Sequence, residues 1–126
     1  MKEHENTSPE KRDIVFSVFE RQHPKISKAL KSFHSFKCQL CGWHGFKTKF
    51  GGRYIEIHHL IPLSKKGTNN LNNLVVVCPN HHKMLDFCEA EITTKKSENE
   101  RIAIYINKKK YNIKRNIFDT VMRSAK

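Results

Sequence analysis

The sequence is short of acidic residues and has no long hydrophobic run. Asp and Glu number 12 against 24 Lys and Arg, so the formal net charge is +12. A surplus of this size favours a polyanionic partner, most commonly nucleic acid, over simple solubility. No apolar run approaches the roughly 20 residues of a membrane span, and the polar stretch 1–8 lacks the apolar segment of a signal peptide. We therefore expect no membrane association and a cytoplasmic location.

The sequence also gives little support for structural disulfides. The chain has four cysteines, and Cys38 and Cys41 are too close in sequence for a usual structural bridge. A C-x-x-C pair without a secretory signal indicates a metal or redox site. The chain of 126 residues shows no internal repeat and is most simply one domain over 1–126, whose modest core a bound metal could supplement.

Helices are expected at the start of the chain. Ser8 and Pro9 predict a helix N-cap and first position, and His23-Pro24 predicts its interruption before a second helix. The predicted buried residues at helical spacing are Ile14, Val15, Val18 and Phe19, then Ile26, Ala29, Leu30 and Phe33. These helices account for residues 8–36, and nothing in them requires chemistry.

Strands dominate the predictions for the rest of the chain. Two strands, 46–50 and 53–57, are expected around the turn Gly51-Gly52. The run 74–77 predicts a buried strand that leads to a helix opened by Pro79. Residues 91–100 form an expected charged linker. A basic hairpin with Ile102, Ile104 and Ile106 on one face and a last helix with Ile117, Phe118, Val121 and Met122 are expected within 101–126.

Two knuckles predict a structural zinc site. Cys38-x-x-Cys41 and Cys78-x-x-His81 each offer two ligands, and together they match a closed tetrahedral Cys3His site. Thiolates also select zinc over magnesium or calcium. His81 is the preferred fourth ligand, because it makes the two knuckles symmetrical and leaves His82 for another role. His82, His44 or Cys88 could still replace it.

The adjacent His58 and His59 are the strongest catalytic signal. They end an apolar, strand-like run between the two knuckles. One imidazole could hold a metal ion while the other takes a proton from water. In a strongly basic protein this combination predicts cleavage of a phosphodiester.

Over residues 19–87 the sequence resembles HNH endonucleases, in particular zinc-stabilised bacterial restriction-type members. The resemblance rests on the order of Glu56-Ile57-His58-His59-Leu60-Ile61-Pro62-Leu63, then Asn72-Asn73-Leu74, then Cys78-Pro79-Asn80-His81-His82. It implies an α+β fold with a zinc-clamped ββα-metal core over 37–90. It further implies that His59 is the general base, that His58 and His82 bind a catalytic cation, and that Asn73 braces the loop near His59.

The sequence departs from the family pattern at two positions. His81 stands where the family usually has Cys, an exchange that zinc accepts. Asp86 stands where a further His is frequent, and a carboxylate there could bind Mg²⁺ or Mn²⁺ or could be a solvated helix residue.

The expected partner is DNA, most simply double-stranded, bound mainly through phosphate contacts. The candidate basic residues are Lys47, Lys49, Arg53, Lys65, Lys66, Lys108, Lys109, Lys110, Lys114 and Arg115. Since one site cuts one strand, double-strand cleavage would call for a homodimer. The alternative hypotheses are a non-catalytic, zinc-stabilised nucleic-acid-binding module and, less favoured by the charge, a protein-interaction zinc domain.

Overall fold

The computed structural model describes residues 9–61, 65–93 and 101–124. The elements in chain order are α1 (Pro9–Gln22), α2 (Pro24–Phe33), β1 (Phe46–Lys47), β2 (Arg53–Tyr54), β3 (Glu56–His59), β4 (Leu74–Val77), α3 (Pro79–Phe87), β5 (Ala90–Thr93), β6 (Arg101–Ile106), β7 (Lys109–Lys114) and α4 (Phe118–Arg123). The mixture confirms the α+β prediction. No helix in the described ranges is long and apolar enough to cross a membrane.

A strand pair followed by a helix forms the centre of the molecule. β3 and β4 pair antiparallel, with His58 opposite Val75 and His59 opposite Leu74. All four residues of β4 are buried, as expected for a continuous run of Leu and Val between packed layers. Pro79 then opens α3, where its missing N–H and fixed φ cost nothing. The predicted ββα core is therefore confirmed.

The N-terminal helices pack beside this core, but fewer of their apolar side chains are buried than predicted. The break at His23-Pro24 is confirmed, whereas the Ser8 cap lies outside the described residues. Phe19 and Leu30 are buried, but Ile14 is 59% exposed and Phe33 is 38% exposed, so the prediction that both are buried was wrong. Helical spacing gives the direction of a side chain but not how far the neighbouring element extends.

The strands around Gly51-Gly52 are shorter than predicted. β1 and β2 pair over two residues each, and both glycines have the positive φ that the turn requires. The expected strand 53–57 is divided because the chain leaves β1 after Tyr54 and pairs with β4 from Glu56 onward. Which strand a segment pairs with depends on tertiary packing, and the alternation of apolar and polar residues within one strand does not determine it.

The C-terminal part is a three-stranded sheet in the order β5-β6-β7. Ile102, Ile104 and Ile106 are buried on one face, which confirms their predicted alternation. The start of the expected linker is instead strand β5, which pairs with β6 although most of its side chains are exposed. The predicted last helix is α4, in which Val121 is buried and Phe118 is exposed, while Ile117 is its N-cap residue.

Candidate metal centres and catalytic site

Four ligand residues from two distant segments meet beside α3. Cys38 and Cys41 belong to a turn after α2, in which Gly42 N–H donates to the Cys38 carbonyl at 2.8 Å. Cys78 caps the N-terminus of α3, and its Sγ accepts a hydrogen bond from the His81 backbone N–H at 3.3 Å. The ligand atoms of Cys38, Cys41, Cys78 and His81 all lie within 4.8 Å of one another.

The spacing of these atoms fits a tetrahedral zinc ion. Cys78 Sγ lies 3.4 Å from His81 Nδ1, Cys38 Sγ lies 3.9 Å from the same nitrogen, and Cys41 Sγ lies 4.0 Å from Cys78 Sγ. Zinc bonds of about 2.0–2.3 Å in tetrahedral geometry separate the ligand atoms by roughly 3.3–3.8 Å. The quartet could therefore hold zinc with little rearrangement, as the sequence predicted.

The electrostatics of the quartet also call for a cation. Burial raises the pKa of the Cys78 thiol to about 12, and the neighbouring Cys38 and Cys41 contribute to that rise. Three thiolates this close repel one another unless a positive ion lies between them. A metal site of Cys3His composition supplies that charge.

The geometry decides among the possible fourth ligands. His81 directs Nδ1 at the thiols, while its Nε2 lies 3.4 Å from the Tyr111 hydroxyl on β7, an arrangement that holds the ring in place. His82 contacts other residues, His44 is exposed outside the quartet, and Cys88 is the C-cap of α3. His81 is therefore the residue that completes the quartet.

A second histidine cluster lies where β3 meets α3. The rings of His58 and His82 are 5.2 Å apart in an edge-to-face arrangement, and both side chains are buried. His82 Nδ1–H donates to Glu56 Oε1 at 2.6 Å, which leaves Nε2 of His82 as the nitrogen with a lone pair. The Tyr54 hydroxyl donates to the other oxygen of Glu56 at 2.5 Å.

Glu56 is an ionised carboxylate in this cluster. Burial raises its pKa, but the hydrogen bonds from His82 and Tyr54 and the charges of His82 and Lys83 lower it by more, so the net shift is downward. A buried carboxylate that accepts from a histidine fixes the tautomer and the orientation of that ring. Glu56 thus fixes the orientation of the His82 ring.

His59 contacts different residues from those that the adjacent His58 contacts. Its Nε2–H donates to Asn69 Oδ1 at 2.7 Å, and its ring meets the edge of Phe19 with centroids 5.7 Å apart. The hydrogen bond leaves Nδ1 as the nitrogen that could accept a proton. Only 5% of His59 is exposed, so bulk water competes little for that nitrogen.

Asn73 ties together the loop between β3 and β4. Its Oδ1 accepts from Ile61 N–H at 2.8 Å, and its Nδ2 donates to the carbonyls of Ile61 and Thr68 at 3.0 and 2.8 Å. Its backbone carbonyl accepts from Leu60 N–H at 2.8 Å. One buried side chain therefore joins the backbone at Ile61 to the loop at Thr68.

Asp86 lies on α3 one turn after His82, and both of its carboxylate oxygens are enclosed by protein. Within the described part of the chain, the Cys3His quartet is the one group of three or more His, Cys, Asp or Glu residues whose ligand atoms are close enough together to hold a metal ion.

Sequence reasoning missed three residues that contact the site. Glu56 precedes His58 by two strand positions and so shares its face, a signal that alternation could have provided. Asn69 and Tyr111 reach His59 and His81 from a loop and from a distant strand. No local pattern in the sequence encodes those two contacts.

Comparisons with known proteins agree with this geometry. A family model described as HNH endonuclease matches residues 38–86, which include both knuckles and the strand pair. The chain is 41% identical over 51 residues to the type IV methyl-directed restriction enzyme EcoKMcrA of Escherichia coli (strain K12). That match spans 40% of this chain and 18% of the enzyme. The chain is also 34% identical over 61 residues to anaredoxin of Nostoc sp. (strain PCC 7120 / SAG 25.82 / UTEX 2576). This second match covers 48% of this chain and 71% of anaredoxin.

Proposed function

This chain belongs to the HNH endonuclease family, and we propose that it is a metal-dependent endonuclease that hydrolyses phosphodiester bonds in DNA. The observation that carries the proposal is the cluster at the junction of β3 and α3. There the ring of His82, oriented by Glu56, lies beside the ring of His58. A cation site at this junction would lie next to His59, the following residue of β3.

The proposed roles follow from the contacts of each side chain. His58 and His82 bind the catalytic divalent ion, with Asp86 as a third ligand suited to Mg²⁺ or Mn²⁺. When bound, this ion supplies positive charge at the scissile phosphate and the leaving oxygen. His59 takes the proton of the attacking water at Nδ1, and Asn69 holds the ring by accepting from Nε2–H. Asn73 keeps the backbone after His59 in place.

Plasmid cleavage tests this assignment. The zinc-loaded protein is incubated with supercoiled plasmid and Mg²⁺ or Mn²⁺, and His59→Ala is compared with wild type. Loss of a general base lowers the rate by about 10²- to 10⁴-fold. His44→Ala is the matched control, because His44 is an exposed histidine outside both clusters. Equal cleavage by wild type and His59→Ala, or no cleavage with any divalent ion, would reject the assignment.

One relative is a methyl-directed restriction enzyme. We propose that this chain also functions in restriction and that it acts in the cytoplasm. Cleavage of methylated plasmid in preference to unmethylated plasmid would support this role, whereas equal cleavage of both would indicate unselective hydrolysis. We further propose that one chain cuts one strand. Linear product should then rise with protein concentration faster than nicked product, as a homodimer on the DNA requires.

A second candidate function is a zinc-stabilised DNA-binding module without catalysis. It is favoured by one observation, namely that within the described residues only the Cys3His quartet has its ligand atoms in mutual contact range. Metal analysis separates the two functions. One tightly held zinc and no second divalent-ion site would support the binding module, whereas an additional Mn²⁺ site that is lost in His82→Ala would support the nuclease.

A further inference from the structure

An apolar pocket of about 340 Å³ borders the zinc quartet, since Cys41, Cys78 and His81 form part of its lining, and it has no role in the proposed cleavage. The rest of its lining consists of the aromatic residues Trp43 and Phe46 and of Pro79 and Asn80 at the start of α3. Trp43 is 41% exposed and Phe46 is 51% exposed, so a large part of each ring is accessible to a ligand. Exposed aromatic surface in a concave site marks a place where a ligand or partner binds.

The pocket wall is built rigidly. The rings of Trp43 and Phe46 meet with centroids 6.3 Å apart, and Phe46 stacks on Tyr54 at 5.1 Å with an interplanar angle of 14°. Gly45 permits this packing, because a Cβ at that position would lie 1.9 Å from the Tyr54 carbonyl oxygen. The rings are therefore held in position with their outer surfaces exposed, as a stacking platform requires.

The charge around the pocket has a single sign. Residues 37–55 contain Lys37, Lys47, Lys49 and Arg53 and no Asp or Glu, and residues 101–118 contain six Lys or Arg and no Asp or Glu. The second segment reaches the pocket, since Tyr111 contacts the ring of His81 and Lys109 lies over Tyr111 at 5.2 Å. An aromatic pocket between two basic segments complements a base attached to a phosphate backbone.

We propose that this pocket receives an unstacked nucleobase of the DNA, which packs on Trp43 and Phe46 while Lys47 and Lys109 contact the flanking phosphates. The proposal rests on the proposed function only in that DNA is the ligand, and it does not require cleavage. Stacking on aromatic rings accepts any base, so the site selects DNA that is locally unpaired or easily distorted over a regular duplex.

The only tryptophan of the chain makes the pocket directly observable. The zinc-loaded His59→Ala protein, which is not expected to cut, is titrated with a fully paired duplex and with the same duplex carrying one unpaired base. We expect quenching of Trp43 fluorescence that is stronger with the unpaired base. In anisotropy measurements with labelled DNA, the unpaired base should tighten binding by about 5- to 150-fold, the range for stacking of one base.

Further substitutions in the His59→Ala protein test whether the preference for the unpaired base depends on the pocket. Trp43→Ala and Phe46→Ala should lose the preference for the unpaired base while retaining duplex binding, and Trp43→Phe should restore most of it. Phe50→Ala is the matched control, because Phe50 is an aromatic residue between β1 and β2, 87% exposed and outside the pocket lining. Zinc content and circular dichroism confirm that each variant is folded.

The outcomes separate this proposal from the proposed function. Duplex binding with an unchanged preference in Trp43→Ala and Phe46→Ala overturns the pocket assignment and leaves the nuclease intact. No binding to either DNA overturns both. Self-association of the protein that disappears in Trp43→Ala, measured by sedimentation, would show instead that the pocket is a protein interface.

Discussion

At the scale of single residues, Glu56 is placed to control metal binding without being a proposed ligand itself. Its Oε1 accepts from His82 Nδ1 at 2.6 Å, and the contact is partly buried. Glu56→Gln keeps the size of the side chain but removes its charge, so His82 is less well oriented. We expect a 10- to 100-fold loss of Mn²⁺ affinity by calorimetry, the usual cost of losing such a partner.

Zinc content separates this role from a general structural one. It should be unchanged in Glu56→Gln, because the quartet lies on other side chains, and Glu91→Gln on the exposed face of β5 should alter neither metal. Loss of zinc together with Mn²⁺ would contradict the assignment.

His34 predicts how stability depends on pH. Burial lowers the pKa of His34, although its hydrogen bond to Asn116 partly offsets the shift. In the unfolded chain this group titrates near 6.5, so below that pH the unfolded state binds more protons and the free energy of unfolding falls. Urea unfolding of the zinc-saturated protein at pH 7.5 and 5.5 should therefore show a smaller decrease for His34→Gln than for wild type. An equal decrease in both proteins would exclude His34 as a cause.

At the scale of elements, two amide side chains complete the open edge of β4. Gln39 Oε1 accepts from Val76 N–H at 3.0 Å, and Asn116 Nδ2 donates to the Leu74 carbonyl at 2.8 Å. Asn116 Oδ1 also accepts from His34 at 2.7 Å. The central strand pair is thereby joined to the zinc turn, to the end of α2 and to the segment after β7, although no further strand pairs with β4 among the described residues.

Removal of Asn116 should loosen this edge. Asn116→Ala leaves the buried Leu74 carbonyl without that donor and His34 without its acceptor, and each such group costs about 1–3 kcal/mol. The free energy of unfolding from urea titration should fall by about that amount or more, with the zinc still bound. Asn112→Ala on the exposed face of β7 is the control and should stay within about 0.5 kcal/mol of wild type. A similar loss for both variants would show that the edge contacts are not responsible.

The elements also show what the sequence could and could not predict. Helix and strand types were predictable where the pattern is strong, as in the alternating isoleucines of β6 and the proline at the start of α3. Strand β5 was missed because it is stabilised by its ladder with β6 and not by burial of its own side chains. The zinc quartet was predictable because ligand spacing is local within each knuckle. The contact of Asn69 with His59 was not, since it depends on how the loop folds.

At the scale of the whole molecule, zinc would join two segments that lie on either side of the central strand pair in the sequence. Cys38 and Cys41 precede the strand pair, whereas Cys78 and His81 follow it, so the ion would close the chain around β3 and β4. We expect a chelator to lower the melting temperature strongly, because each kcal/mol lost lowers it by roughly 2–8 °C at this size. Mg²⁺ should not restore it, whereas Zn²⁺ should. An unchanged melting curve after confirmed zinc removal would refute a structural role for the site.

The net charge of +12 makes DNA binding a property of the whole surface. If four to six phosphates are contacted, the affinity for duplex DNA should fall roughly 10²- to 10³-fold between 50 and 200 mM salt. Lys109→Gln should weaken binding at low salt and reduce the slope of log K against log salt by about one. Lys28→Gln, at an exposed position of α2, is the control. Lys28 is distant in sequence from the basic hairpins β1–β2 and β6–β7. Anisotropy across a salt series measures these slopes, and a salt-independent affinity would contradict phosphate-dominated binding.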